Sequence, residues 1–230
     1  MKSKTPPLLP LAALAGLALV TSANAATIVG VTIEDVSSQL DGTTSQPVFN
    51  RVAENTINGS GFEPNGPGTH SNANGNDNDM WLTTGTFATP NDPLPGPSIT
   101  FDLEGNYDLS SFTVWNYNEI NLPTRGTNGV TVSVASSEGG SFTALAGITN
   151  FAIAPGVNNV AFGETFDLTS LAAADNVRLL KIDITSNHGD GLNFAGLSEI
   201  RFDGTAVPEP SAAALLSLSG LVLFRRRRRS

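Results

Sequence analysis

Two polar stretches of the chain carry the side chains best suited to binding chemistry. These stretches are "WNYNEINLPTRG" and "SNHGDG", and their candidate ligand-binding residues are Asn116, Asn118, Glu119, Arg125, Asn187 and His188. Amide and guanidinium groups make the paired hydrogen bonds that suit sugar hydroxyls, and the ring of Trp115 or Tyr117 offers a stacking face. Residues of these types at this spacing predict a carbohydrate contact.

The same side chains also suit structural roles. Trp115 and Tyr117 share strand parity, which favours a core position for one of them. Arg125 is spaced to pair with Glu119, and loop asparagines often stabilise turns. Both interpretations stay open at the level of sequence.

Catalytic motifs are scarce. His70 and His188 lie in polar Gly/Asn loops, where a solvated or turn-bonded imidazole is the usual case, and the sequence has no HExxH, GxSxG or P-loop motif. Glu34 and Asp35 are adjacent in a predicted strand, so they point to opposite faces and cannot work as a carboxylate pair. The chain has no cysteine, which excludes thiol catalysis and cysteine-ligated metals. We therefore expect a protein that is not an enzyme.

Short strands are the elements that must position these residues. Apolar residues alternate with other residues in four stretches: Val29, Val31 and Ile33; Ile99, Phe101 and Leu103; Val130, Val132 and Val134; Leu180, Ile182 and Ile184. This period indicates strands with one buried face, and turn clusters rich in Gly and Pro separate them. The pattern predicts an all-β domain over residues 26–205, a jelly-roll β-sandwich of seven to nine strands.

The order of the segments resembles a known family. "NGNDNDMW" is followed by "ITFDLEG", "FTVWNYNE", "LPTRG", "VTVSVASSEGGSFTAL", "VRLLKIDITS" and "GLSEIRFDG". This order is similar to that of the discoidin domains and of the carbohydrate-binding modules that share their galactose-binding-like jelly roll. The resemblance covers nearly the whole domain, and it implies sugar binding through loops at one end of the sandwich.

The resemblance also implies a structural calcium ion. Carried over position by position, its ligands would be Asn74, Asn76, Asp79 and Glu199, with Trp81 as the family's buried tryptophan. Asn74 stands where the family has Asp, and Asp79 stands where Thr is usual. Calcium takes six to eight oxygen ligands, which an Asn- and Asp-rich turn supplies. The alternative is an Asx-rich turn without metal.

The charge of the domain narrows the choice of partners. Seven of the twelve basic residues are terminal. The chain between these terminal lysines and arginines holds five basic residues and all twenty-one acidic ones, the last of which is Glu209 in the tail, so its net charge is −16. A surface this acidic repels phosphate backbones, and we expect no nucleic-acid partner. It suits cations, calcium in particular.

The first 25 residues have the features of a secretory signal peptide. Lys2 and Lys4 form a basic region, residues 8–20 an apolar region, and Ala23-Asn24-Ala25 a small-residue cleavage site. The three prolines near the start and the short apolar run count against a transmembrane helix. We expect an exported protein that begins near Ala26.

The last 25 residues, 206–230, resemble the PEP-CTERM sorting signal. The motif consists of Val207, Pro208, Glu209 and Pro210, followed by an apolar segment at 211–224 and five arginines at 225–229. As a helix the apolar segment would span about 21 Å, less than a bilayer core of about 30 Å. The arginines place this end in the cytoplasm. The resemblance implies processing by an exosortase in a Gram-negative bacterium, and the alternative is a plain C-terminal anchor.

Together these features predict an exported protein, anchored in the inner membrane through its C-terminal helix and then released to the cell surface or extracellular matrix. Its β-sandwich is expected to bind extracellular polysaccharide or another surface glycan without catalysis. One alternative is a structural or adhesive biofilm-matrix protein without a specific glycan site. A weaker alternative is an extracellular hydrolase.

Overall fold

β5 is the strand around which the others are arranged. The computed structural model describes residues 24–41, 50–62, 69–70, 79–85, 95–154 and 161–208. Its strands are β1 (Ala26–Thr27), β2 (Thr32–Val36), β3 (Thr69–His70), β4 (Trp81–Leu82), β5 (Ser98–Asn116), β6 (Val130–Ala135), β7 (Thr143–Ala144), β8 (Ala161–Phe162), β9 (Glu164–Asp167), β10 (Val177–Ile184) and β11 (Gly196–Ala206). Short 3-10 turns lie at Ala53–Thr56, Ser60–Phe62, Pro123–Arg125 and Ala172–Ala174.

β5 takes part in two layers. Its residues 98–102 pair with β2 on one side and with β10 on the other, and β6 and β7 follow β10. Its residues 107–116 pair with β11, while 111–114 pair with β9 on the opposite side. β1 and β4 continue the second layer from the far edge of β11. The result is an all-β sandwich, as predicted. Its described residues form eleven strands where seven to nine were expected, because five of the strands are only two residues long.

A corner in β5 joins the two layers. Glu104 has a φ of 57°, an uncommon value for a residue with a side chain. The Asp102 carboxylate stabilises this corner because it accepts a hydrogen bond from the Glu104 N–H at 2.8 Å. Arg178 on β10 donates to the same carboxylate at 2.9 Å. One buried aspartate that accepts from two donors therefore stabilises this corner of β5.

The predicted alternation is confirmed in three of its four stretches. The nine apolar residues of β5, β6 and β10 are all buried: Ile99, Phe101, Leu103, Val130, Val132, Val134, Leu180, Ile182 and Ile184. Phe101 on one layer and Phe202 on the other have ring centroids 5.4 Å apart, so the layers pack face to face. The first stretch was wrong at Val29, which is exposed because it precedes a turn at Gly30, where φ is 79°.

Several predicted features lie outside the described residues. They are the signal peptide up to residue 23, the proposed calcium ligands Asn74 and Asn76, and the tail from Glu209 onward. Val207 is described, and its N–H donates to the Asn106 carbonyl at 2.8 Å just after the last strand. Among the described residues no helix is long and apolar enough to cross a membrane.

Candidate functional site

One end of the sandwich gathers the connections that carry most predicted ligand-binding residues. We call it the loop end, and it consists of residues 37–41, 50–56, 80–85, 117–129, 149–154 and 185–195. Backbone hydrogen bonds link its segments: Leu82 accepts from Leu40, Gly196 accepts from Thr127, and Asn128 accepts from Phe151. Loops held by a rigid scaffold in this way are a usual place for binding residues.

A buried ion pair between Arg51 and Glu119 lies within the loop end. The Arg51 guanidinium donates to the Glu119 carboxylate with 2.9 Å between Nη1 and Oε2, and Arg51 is only 2% exposed. Arg51 also donates to the Tyr117 hydroxyl, which in turn donates to Glu119 Oε2. Burial, more than the nearby Glu119 charge, raises the pKa of Tyr117, so its hydroxyl keeps its proton as a donor. Two groups, the Arg51 guanidinium and the Tyr117 hydroxyl, thus orient one carboxylate.

Arg125 is a predicted ligand-binding residue that is held in place at the loop end by its neighbours. Its Nη1 donates to Glu119 Oε2 at 3.3 Å, and its Nε lies 3.7 Å from the Asp190 Oδ1, too far for a hydrogen bond. Its Nε has no hydrogen-bond partner among the described residues. The guanidinium carbon lies 4.6 Å from the centre of the Phe194 ring, a cation–π distance. Arg125 is therefore fixed by Glu119 and by stacking on Phe194, while its buried Nε–H is left without a hydrogen-bond partner in the described part of the chain.

Asn116 and Asn118, two of the predicted ligand-binding residues, are directed into the protein. Both are buried, and the Asn116 amide donates to the carbonyls of Thr127 and Ala152 at 2.7 and 2.8 Å. The Asn118 side-chain oxygen accepts from the Ser198 hydroxyl at 3.0 Å. These amides satisfy backbone and side-chain groups inside the loop end, the role that buried polar groups must fill.

Asn187 and His188 organise the connection between β10 and β11. The Asn187 amide donates to the carbonyls of Asp190 and Phe194, and its oxygen accepts from two backbone N–H groups. His188 places Nε2 3.0 Å from the Phe151 carbonyl oxygen. Burial lowers the pKa of His188, which favours the neutral imidazole. Both residues shape the loop end, and both are partly exposed.

Neither predicted stacking ring offers a face to solvent. Tyr117 is fully buried, and Trp115 is buried against Phe62, with ring centroids 5.0 Å apart in an edge-on arrangement. The predicted shared strand parity does not hold, because β5 ends at Asn116 and Tyr117 follows it. The two rings pack in different clusters, Trp115 with Phe62 and Ala154, and Tyr117 with Leu40, Met80, Leu82 and Phe194. Sugar stacking by these two residues is therefore excluded.

Two of the four predicted calcium ligands meet at one turn. The Glu199 Oε2 accepts from the Gly59 N–H at 3.1 Å, and Asp79 hydrogen-bonds to Ser60. Burial raises the pKa of Glu199 to about 7, although Arg201 Nε lies 3.4 Å from its Oε1. Glu199 lines a cavity of about 360 Å³ together with Asn58 and the chain at 27–31. Among the described residues no three His, Cys, Asp or Glu side chains converge on a common point.

Sequence reasoning missed two parts of these sites. Arg51 is one of only five basic residues in the domain. A cation this rare among many acidic residues is a candidate for an ion pair, and this was the signal in the sequence. The turn at Asn58 and Gly59 contacts Glu199, and its Asn-Gly dipeptide is a strong turn signal within a long polar segment. Trp81 is buried as expected, and its Nε1 donates to the Ser38 carbonyl at 3.0 Å.

Comparisons with known proteins give matches among solved structures alone. No family model and no curated protein matches the chain. One similar structure is the family 32 carbohydrate-binding module of Clostridium perfringens NanJ in complex with galactose, at 17% identity and a TM-score of 0.48, covering 78% of this chain and 99% of that one. Another is a family 32 module from a C. perfringens family 31 glycoside hydrolase, at 10% identity and a TM-score of 0.48, covering 76% and 95%.

A third similar structure is a much longer enzyme. It is the family 89 glycoside hydrolase of C. perfringens, at 16% identity and a TM-score of 0.47, with 80% of this chain covered. The chain spans 15% of the length of that hydrolase.

Proposed function

We propose that this protein is exported and binds extracellular carbohydrate without catalysis, through the loop end of its β-sandwich. The observation that carries the proposal is Arg125. It is a partly exposed cation, 14% exposed, that is stacked on Phe194 and paired with the Glu119 carboxylate at 3.3 Å. A fixed guanidinium beside a fixed carboxylate suits a ligand rich in hydroxyl groups.

Glu119 complements Arg125 as an acceptor. Its side chain is 13% exposed, so a carboxylate and a guanidinium lie 3.3 Å apart at one surface. A sugar diol has one hydroxyl to donate and one to accept, which matches such a pair. Arg51 and Tyr117 hold Glu119 from below. Because the pair is oriented before a ligand arrives, binding costs little side-chain entropy.

The hydrogen bonding of the loop-end carboxylates supports binding over hydrolysis. Glu119 Oε2 accepts from Arg51, Tyr117 and Arg125, and Asp190 Oδ2 accepts from the N–H groups of Leu192 and Phe194. A glycosidase acid must carry a proton, and its partner must be free to attack or to activate water. Carboxylates occupied by several donors suit neither role.

A glycan array with the purified full chain tests the proposal. We expect the wild type to bind a defined set of glycans. Arg125→Met should weaken this binding by about tenfold or more, because a charge-assisted hydrogen bond is lost. Lys181→Met is the matched control, since it removes one positive charge from β10 without touching the loop end, and it should bind normally. Absence of any glycan hit, together with self-association, would instead favour a structural matrix protein.

We further propose that calcium binds beside Glu199. The fit rests on a buried carboxylate that lines a cavity and contacts Gly59, next to the residue Ser60 that hydrogen-bonds to the Asp79 carboxylate. Glu199 and Asp79 would supply the charged oxygens, and the turn at Asn58 would supply neutral ones. A bound cation would stabilise the ionised form of Glu199 and fix this turn against β11.

The tail is proposed to be a sorting device. A Val-Pro-Glu-Pro motif before an apolar segment and five arginines supports recognition by an exosortase and release to the cell surface or matrix. The test replaces Pro208, Glu209 and Pro210 with alanine in the producing bacterium. Processing and release should stop, whereas unchanged release would contradict exosortase recognition.

A further inference from the structure

Two exposed apolar side chains lie at one border of the loop end, one within it and one just outside it. Phe162, at the end of β8, is 69% exposed, and Ile153, in the loop before it, is 49% exposed. Only four large apolar residues are exposed among the described residues, so two of them in neighbouring segments are notable. We call Ile153 and Phe162 the apolar ledge.

Contacts of the adjoining residues bring together the two segments that carry Ile153 and Phe162. Ala154 packs in one cluster with Trp115, and a Cβ on Gly163 would lie 2.8 Å from the same Trp115 ring. The Ala152 N–H donates to the Glu164 Oε2 at 2.7 Å, which ties the two segments directly. Both ledge residues therefore project from backbone that is fixed against one buried ring.

The apolar ledge is also joined to the turn that carries Arg125. The His188 N–H donates to the carbonyls of Thr124 and Gly126, both at 3.1 Å, while its ring nitrogen contacts the Phe151 carbonyl. The Asn116 amide donates to the Ala152 carbonyl at 2.8 Å. Asn116 and His188 thus connect the Arg125 turn to the loop that presents Ile153.

We infer that the apolar ledge is a second sugar subsite, so that the ligand is a glycan chain of at least two units rather than a single terminal sugar. The inference rests on the proposed function at Arg125. A pyranose has an apolar C–H face that suits an exposed phenylalanine ring, while its edge carries hydroxyls. Glu164, next to the ledge, offers acceptor oxygens for that edge.

The exposure of the apolar ledge favours ligand binding over a role in core packing. Phe162 contributes little to the interior, since most of its ring is in solvent. Its removal should therefore leave the fold intact and affect only what the ring contacts. Phe142, the other phenylalanine that is exposed among the described residues, lies just before β7 on the edge of the other layer, and it provides a matched control.

The test measures affinity against chain length by titration calorimetry with the full chain. The probes are glucose with cello-oligosaccharides, N-acetylglucosamine with chito-oligosaccharides and galactose with β-1,4-galacto-oligosaccharides, from disaccharide to hexasaccharide. We expect the wild type to prefer oligomers over the monosaccharide. Phe162→Ala should lower oligomer affinity by about three- to tenfold and leave monosaccharide affinity unchanged. Phe142→Ala should change neither, and all three proteins should melt at the same temperature.

The outcomes separate this inference from the proposed function. Equal affinity of the wild type for monosaccharide and oligomers, or oligomer binding unaffected by Phe162→Ala, would overturn the second subsite and leave binding at Arg125 standing. A loss of about tenfold or more in Arg125→Met for monosaccharide and oligomers alike, with length dependence lost only in Phe162→Ala, would support both. A wild type that binds none of these glycans and none on the array would overturn both.

Discussion

Arg51 and Glu119 form an ion pair across 68 residues of sequence, with 2.9 Å between Nη1 and Oε2. The pair joins the segment after β2 to the connection between β5 and β6. Since Glu119 also accepts from Arg125, the partly exposed surface of the loop end depends on a guanidinium that solvent scarcely reaches.

Removal of Arg51 should destabilise the protein markedly. Arg51→Ala leaves the Glu119 carboxylate and the Tyr117 hydroxyl without their shared donor, and the loss of one partner from a largely buried pair costs about 3 kcal/mol. Chemical denaturation measures this change in the free energy of unfolding. The control is Lys181→Ala, whose pair with Asp183 at 2.7 Å is partly exposed and should matter by less than about 1 kcal/mol. Equal effects of the two variants would contradict a buried role for Arg51.

A side chain at Gly196 should disrupt the start of β11. A Cβ there would collide with the Trp81 carbonyl oxygen and would lie 2.9 Å from Tyr117 Cδ2. Because a backbone atom cannot move aside easily, we expect Gly196→Ala to cost about 3 kcal/mol, the upper part of the range for overpacking. Gly191→Ala is the control, since nothing lies within 4 Å of its added Cβ. Thermal unfolding of both variants checks this, and an unchanged midpoint for Gly196→Ala would contradict the close approach of β4 and β11.

Glu199 should make stability depend on pH and on calcium. Between about pH 4.5 and pH 7 the folded protein retains the Glu199 proton while the unfolded chain releases it, so the contribution of this group to stability is present at low pH and is lost as the pH rises through this window. The difference in unfolding free energy between the wild type and Glu199→Gln, measured across these pH values with a chelator present, isolates the effect.

Calcium should reverse this dependence, because a bound cation favours the ionised carboxylate. We expect added calcium to raise the midpoint of thermal unfolding of the wild type at neutral pH and to leave Glu199→Gln nearly unchanged. A midpoint that is the same with calcium and with chelator would rule out the proposed ion, while the pH dependence without metal would remain a separate result.

His188 should make the stability of the protein depend on pH in the direction opposite to Glu199. Its pKa is lowered by burial, so below its ordinary value of 6.5 the unfolded chain takes up a proton before the folded protein does. The contribution of His188 is therefore present above that value and is lost as the pH falls through the folded pKa. Nuclear magnetic resonance titration of the ring protons measures this pKa directly. His188→Gln, which does not titrate, should lack this loss of stability, and a ring that titrates at or above 6.5 would contradict the burial argument.

The periodic features of the chain were predictable because they are local. Alternating residues such as Val130, Val132 and Val134 identify a strand with one buried face, whatever it pairs with. Likewise, the signal-peptide and tail patterns are contiguous, and they stay predictions on residues that the structure describes only in small part. The Asn58-Gly59 dipeptide is likewise a local signal for a turn, although no prediction was made from it.

The candidate site was predicted in its location and only partly in its residues. Arg125 and Glu119 lie together as their spacing suggested, but Asn116 and Asn118 are internal. An asparagine in a polar stretch has the same local signature whether its amide faces solvent or a buried carbonyl. The choice depends on which other segments cover it, and for Asn116 these are the segments of Thr127 and Ala152.

The sequence by itself determined the all-β class, the strongly acidic domain and the two polar stretches, since each follows from composition or short-range spacing. Only the tertiary structure decided that Arg51 supports Glu119, that Trp115 and Tyr117 are buried, and that Phe162 is the exposed aromatic ring beside the loop end. The physical reason is that pairing and burial are set by contacts between segments far apart in the chain, and no local pattern specifies those contacts.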